Sequence, residues 1–168
     1  VLDSKGVISS ARENLNDSKK ELADITHSSA RSGSLSDVIS EADVFIGVSI
    51  AGALSKDDVS HMAKDPIVFA LANPDPEIVP EDAYDAGARI VATGRSDYPN
   101  QVNNVLVFPG VFRGLLDARA TDVTDDIKIA AAQAIADCVS EPSAENIIPH
   151  SMDRSVVKAV AEAVADRS

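Results

Sequence analysis

The chain has 168 residues, 45% of them hydrophobic and 25% charged, with a formal net charge of −12, the profile of a globular domain of ordinary size. That negative charge argues against nucleic acid as a partner, because a polyanion would be repelled instead of releasing its counterions. No run approaches the roughly 20 apolar residues of a membrane span, and the start, Val-Leu-Asp-Ser-Lys-Gly, is not a secretory signal. The single cysteine, Cys138, cannot form an internal disulfide and is expected as a buried structural thiol. A cytoplasmic location without membrane attachment is the resulting expectation.

In chain order, Val1-Leu2 ends in Asp3 and reads as a short strand, and Ala11 to Ile25 reads as a polar-faced helix. Val44 to Val48 is a compact apolar run, expected as a strand buried on both faces. Ser55 stands three residues before Asp58 as in a capping box, opening a helix through Met62. Ile67 to Leu71 is a strand that Pro74 and Pro76 stop. Pro80 starts a short helix with proline in its first turn; Gly87 ends it, and Arg89 to Ala92 is another strand. Gly94 to Asn104 is a polar loop. Val105 to Ala118 reads as a helix that Pro109-Gly110 must break or kink. Thr124 caps a helix carrying Ile127, Ala131, Ile135 and Cys138 at helical spacing, and Asp153 caps the last helix, Val156 to Val164.

Strands rich in Val and Ile alternating with helices predict an α/β fold: a Rossmann-like, mostly parallel sheet followed by packing helices. The role of the chain is expected to change near Thr121. Residues 1–120 then form a partial dinucleotide-binding domain, and 121–168 its C-terminal helical extension. A complete domain of this type opens with a strand, a glycine-rich turn and a helix that receives the pyrophosphate. No G-x-G-x-x-G occurs here, yet Asp3 stands at a strand end, where the acidic ligand of the adenosine ribose belongs. The sequence is therefore expected to begin one βα unit late, as a piece of a longer protein, with a sheet edge open to partners.

Three stretches are more specific. Phe69-Ala-Leu-Ala-Asn73-Pro74 is a strand ending in Asn-Pro. Ala92-Thr-Gly94-Arg-Ser-Asp97-Tyr-Pro-Asn-Gln101 is a polar loop after a strand. Val102-Asn103-Asn104-Val-Leu-Val-Phe108-Pro109-Gly110 leads into a helix. In this order and spacing they resemble the malic enzymes, particularly the shorter bacterial and archaeal type. Val1-Leu-Asp3-Ser-Lys5-Gly6 and Phe45-Ile-Gly47-Val-Ser49 fit the same pattern, so the likeness covers the whole chain.

The resemblance implies oxidative decarboxylation of malate to pyruvate and CO2, with hydride passing to NAD or NADP and a divalent metal, Mg or Mn, polarising the ketone. Malate is a small dianion, and neutral amides can orient it without quenching the metal's charge. By likeness, Asn73 and Asn103 contact malate or the nicotinamide ribose, with Asn104 beside them. Asp3 is the ribose ligand, and Gly47 and Ser49 let the backbone approach the cofactor. Lys19 and Lys20 lie where some relatives set a lysine against the 2′-phosphate, which tilts the choice towards NADP. The family's general base, tyrosine acid and metal carboxylates belong upstream, so this chain is expected to be inactive alone, to need the N-terminal substrate domain of its parent, and to form a homo-oligomer.

Arg95 could clamp a carboxylate but reads better as a surface residue. His27, His61 and His150 are too scattered for a metal site. Asp57-Asp58 and Asp125-Asp126 read as charges at helix starts. The competing readings are another two-domain dehydrogenase, which would lack the paired asparagines followed by Phe-Pro-Gly, and a non-catalytic Rossmann-like module for protein contacts or regulation.

Overall fold

The structure, a computed structural model, describes residues 1–26 and 31–168; His27 lies outside the described residues. At the N-terminus Leu2–Asp3 (β1) pairs antiparallel with Gly6–Val7 (β2), closed by Lys5 N–H donating to the Asp3 carboxylate at 2.9 Å. This hairpin replaces the isolated strand end expected from Val1-Leu2. The expected helix from Ala11 also begins later: Asp17–Ile25 (α1) starts behind Asn16, whose side chain accepts from Lys19 N–H. Asn14 takes a left-handed φ of 60°, so residues 11–15 form turns. Leu35–Val38 (α2) follows, with a capping box between Ser34 and Asp37.

Val44–Gly47 (β3), Ile67–Ala70 (β4) and Ile90–Thr93 (β5) form a parallel sheet in that spatial order, in which Val44, Ile67 and Ile90 share one register. Side chains alternate between faces. Phe45, Val68, Ala70 and Val91 point to a core with Leu54, Val59, Ile78 and Ala83, covered by Lys56–Ser60 (α3) and Pro80–Asp85 (α4). The Ser55–Asp58 capping box forms as expected, and α3 ends at Ser60, before Met62. Along β3 the other face is open, whereas at β5 it is covered, with Ala92 fully buried. Val44, Ile46 and Val48 are 47%, 65% and 78% exposed, so β3 is not buried on both sides. It is an edge strand among the described residues, with helices against one face only.

Phe108–Ala118 (α5), Asp125–Asp137 (α6) and Arg154–Ala165 (α7) build a second core around Leu106, Ile127, Ala131, Val156, Val160 and Val164. Pro109 neither breaks nor kinks α5. It occupies the first turn, where a missing N–H has no intrahelical partner to lose. Gly110 and Gly114 bring α5 against α7: a Cβ at Gly114 would lie 2.7 Å from Val164 Cβ and 2.5 Å from the Ala161 carbonyl oxygen. Thr124 and Asp153 cap α6 and α7. Cys138 is half-buried at the end of α6, less enclosed than expected, because the helix stops there. Burial, followed by Asp153 and Asp137 nearby, pushes its thiol up.

One buried amide joins the two cores. Asn100 Nδ2 donates to the Val91 carbonyl at 3.1 Å and to the Ala144 carbonyl at 2.9 Å, while Oδ1 accepts from Ile147 N–H at 2.9 Å. Among the described residues no helix is long and apolar enough to cross a membrane.

Candidate functional site

Two groups of polar residues gather at strand ends. The first surrounds Asp3. Arg12 grips its carboxylate with two bonds, Nη1 to Oδ1 at 2.9 Å and Nη2 to Oδ2 at 2.8 Å. Arg12 Nη1 also donates to the carbonyls of Gly6 and Val7, at 3.1 Å each. The turns at 11–15 carry the guanidinium back over the hairpin to make these bonds. Lys19 reaches Asp3 from α1. Arg12 first, then Lys19 and the Lys5 N–H, hold the Asp3 carboxyl well below the usual carboxylate range. Lys20 points elsewhere, pairing with exposed Asp17 at 2.9 Å. It lines an open cleft of about 500 Å³ with Ser10, Arg12, Asn14 and Asp24. Lys19 and Lys20 thus stand in different places, one on Asp3 and one in the cleft. Two cations on one carboxylate leave this group with one positive charge in excess.

The second group lies at the carboxyl end of the parallel sheet. Asn73 follows β4 across a cis peptide to Pro74. Its side chain is exposed and lies over Gly94, where a Cβ would be 3.3 Å from Asn73 Nδ2. Val102 N–H donates to the Thr93 carbonyl at 2.8 Å, which sets Asn103 beside the end of β5. Asn103 Oδ1 accepts from Val105 N–H at 3.0 Å and caps the 3₁₀ turn Asn104–Leu106. Among the described residues the side chains of Asn73 and Asn104, and the Nδ2 of Asn103, take no hydrogen-bond partner. All three can still donate to a ligand.

Arg95 is occupied within its own loop: it chelates Asp97 at 2.9 and 2.6 Å, lies 3.9 Å from Asp75 and sits 5.4 Å from the centre of the Tyr98 ring. His61 and His150 are exposed, the first bonded to the Asp57 carbonyl and the second accepting from Met152 N–H. The described residues bring together no group of three or more His, Cys, Asp or Glu side chains to hold a metal. They do not fit a metal centre by themselves.

Beneath the amides is Glu77, fully buried. Its Oε1 accepts from Ser49 N–H at 2.7 Å and from Ser49 Oγ at 3.1 Å; its Oε2 accepts from Ala72 N–H at 3.0 Å. Burial alone would push this carboxyl up; the N–H groups of Ser49, Ala72 and Glu77 itself outweigh it and hold the group below its ordinary value. Gly47 leaves room for this side chain and for the Phe45 ring: a Cβ there would lie 2.5 Å from Glu77 Cδ and 2.8 Å from Phe45 Cε1.

Arg12, Glu77 and Asn100 were not anticipated as functional or linking residues. The signal available for Arg12 was a lone arginine nine residues after Asp3. For Glu77 it was a carboxylate closing Asn-Pro-Asp-Pro-Glu, and for Asn100 an asparagine inside a polar loop.

A parallel sheet with a gripped carboxylate at an early strand end and open amides at its carboxyl edge defines a dinucleotide-binding domain of Rossmann type. The chain belongs to the malic enzyme family: the family described as "Malic enzyme, NAD binding domain" matches residues 1–168. It is similar to the bifunctional malic/malolactic enzyme of Bacillus subtilis, at 61% identity over 98% of this chain and 41% of that protein. It is also similar to the NADP-dependent malic enzyme of Halomonas elongata, at 48% identity over 88% of this chain and 34% of that one. The crystal structure of the NAD-dependent malic enzyme of Thermotoga maritima superposes with a TM-score of 0.91 at 44% identity, covering 98% of this chain and 44% of that chain. The chain thus spans about two fifths of the length of the Bacillus relative.

Proposed function

We propose that the protein carrying this chain converts malate to pyruvate and CO2 with NADP or NAD, and that this chain supplies the cofactor surface and one wall of the malate site. Two open amides at the carboxyl edge of a sheet of malic enzyme type support the reading: Asn73 over Gly94, and Asn103 next to Val102, which is bonded to Thr93. The nicotinamide cofactor supplies hydride acceptance when bound. In this reading Asn73 and Asn103 donate to malate or the nicotinamide ribose, with Asn104 alongside. Gly47 and Ser49 shape the loop next to the cofactor, and Asp3, with Arg12 and Lys19 upon it, meets the adenosine ribose. Lys20, facing the cleft, favours NADP. The described residues bring together no metal cage, and in this reading the divalent metal, Mg or Mn, would take its ligands from elsewhere in the protein and polarise the ketone. We assign residues 1–120 to the cofactor-binding part and 121–168 to its helical extension.

Exposed Val44, Ile46 and Val48 on β3, and Phe108, Phe112 and Leu116 along α5, support a chain that works against a substrate domain or within an oligomer, in a cytoplasmic enzyme. The test is malate-dependent formation of NADPH or NADH. Turnover is expected from the full-length protein and none from the 168-residue chain. Turnover by that chain alone would refute the division of labour. A full-length protein that binds no nucleotide would favour the non-catalytic module instead. Lys20→Ala is expected to weaken NADPH binding by roughly tenfold, the worth of one charged hydrogen bond, and to leave NADH unchanged. Equal effects on both would remove Lys20 from the 2′-phosphate.

A further inference from the structure

In a parallel sheet, the ladder stops where the strands splay, and the next N–H groups need another partner. Between β3 and β4 the last rung is Leu71 N–H donating to the Gly47 carbonyl at 3.0 Å. One step farther, Ser49 N–H and Ala72 N–H both turn to Glu77, 2.7 and 3.0 Å from its two oxygens. The carboxylate therefore takes the place of the missing rung. The backbone reinforces it: Leu54 N–H donates to the Glu77 carbonyl at 3.1 Å and Gly52 N–H to the Pro76 carbonyl at 3.3 Å. Ser49 borders the loop assigned to the cofactor, and Ala72 immediately precedes Asn73.

We propose that Glu77 is a positioning residue, whose carboxylate locks the ends of β3 and β4 together so that the cofactor loop at Ser49 and the malate-facing Asn73 keep a fixed spacing. The site role rests on the function proposed above; the lock itself does not. The chemistry calls for a carboxylate. Three donors converge on two oxygens that have no hydrogen of their own. A glutamine of the same shape would turn its NH2 towards Ser49 or towards Ala72, setting donor against donor. An aspartate, one methylene shorter, cannot span both.

The test combines amide hydrogen exchange with binding and kinetics on the full-length protein. In the wild type, the Ser49 amide is expected to exchange as slowly as the Leu71 amide, although Ser49 is exposed. Exchange at the rate of an unprotected loop overturns the lock without any variant being needed. In Glu77→Gln, exchange at Ser49 and Ala72 is expected to speed up by roughly tenfold or more, with α5–α7 unaffected. The KM for malate and the Kd for NADPH should rise by about tenfold, while kcat stays within about threefold, because ground-state placement is lost and the chemical groups are not. An active wild type whose Glu77→Gln variant keeps both constants within about twofold overturns the proposal for Glu77 alone. A wild type that neither binds NADPH nor oxidises malate overturns the proposed function and the site role of Glu77 with it, while the exchange result still decides the lock.

Discussion

Asp3, at the end of β1, and Glu77, in the loop between β4 and α4, are carboxylates held in opposite ways. Asp3 is gripped by the side chains of Arg12 and Lys19, long groups at the surface that can trade one anion for another. Glu77 is gripped by main-chain N–H groups and one hydroxyl inside the protein, partners that cannot leave without moving two strands. The first arrangement can adapt, since its cations can turn from Asp3 to another anion. The second suits a place where spacing must not change. Charge can be equal while stiffness differs.

The largest expected effect that would break this contrast is on stability. Glu77→Ala strands the N–H of buried Ala72 and removes the partner of Ser49, at about 3 kcal/mol in all, and should lower the melting temperature by roughly 6–12 °C; calorimetry showing a loss no larger than that of Asp3→Ala would erase the difference. Next is a double-mutant cycle. Gly47→Ala drives a Cβ into the Glu77 carboxylate and to 2.8 Å from the Phe45 ring and should destabilise by about 2 kcal/mol, of which the part due to Glu77 should vanish in a Glu77→Ala background. Additive effects in denaturant titrations would mean that the two positions do not meet.

The smallest effect concerns acid and salt. The folded pKa of Asp3 is depressed, so its contribution is present above the ordinary carboxylate value of about 4 and is lost as the pH falls through its lower folded value. Melting curves of the wild type and Asp3→Asn should differ at pH 7, begin to converge only below about pH 4, and differ less in high salt. Curves that stay parallel at every pH would show that the Arg12 and Lys19 grip contributes nothing.

Much of the fold was readable because its causes are local. Thr124, Asp153 and the Ser55–Asp58 pair cap helices through atoms three residues away or fewer. Proline in the first turn of α4 marks its start as expected. The alternation of Val-rich strands with helices gave the parallel sheet. What escaped depends on distant partners. Nothing within Val44–Val48 says whether a neighbour covers it, so its open face could not be read from composition. Pro109 breaks a helix interior but begins a helix just as well, and only the position of α5 decides which.

The site divides in the same way. Asn73, Asn103 and Asn104 stood out through their motif, and the structure places them at the sheet's carboxyl edge with donors to spare. Arg12 depends on turns that the expected helix from Ala11 lacks: α1 begins only at Asp17, and the residues before it bring the guanidinium to Asp3. In the sequence Glu77 is one acidic residue directly after Pro74-Asp75-Pro76, with nothing local to mark it. Its burial follows from the absence of a side chain at Gly47, 30 positions earlier.

The glycines of α5 bear on how the molecule could be taken apart. Val160 and Val164 sit directly on Gly110 and Gly114, and the segment entering α7 is fastened by Asn100 at Ala144 and Ile147. The last helix is therefore retained by the surfaces it fills more than by its covalent tether to α6. A protease nick near Met152 would leave it seated, and new chain ends made there would be a natural place to split the polypeptide into two pieces that reassemble.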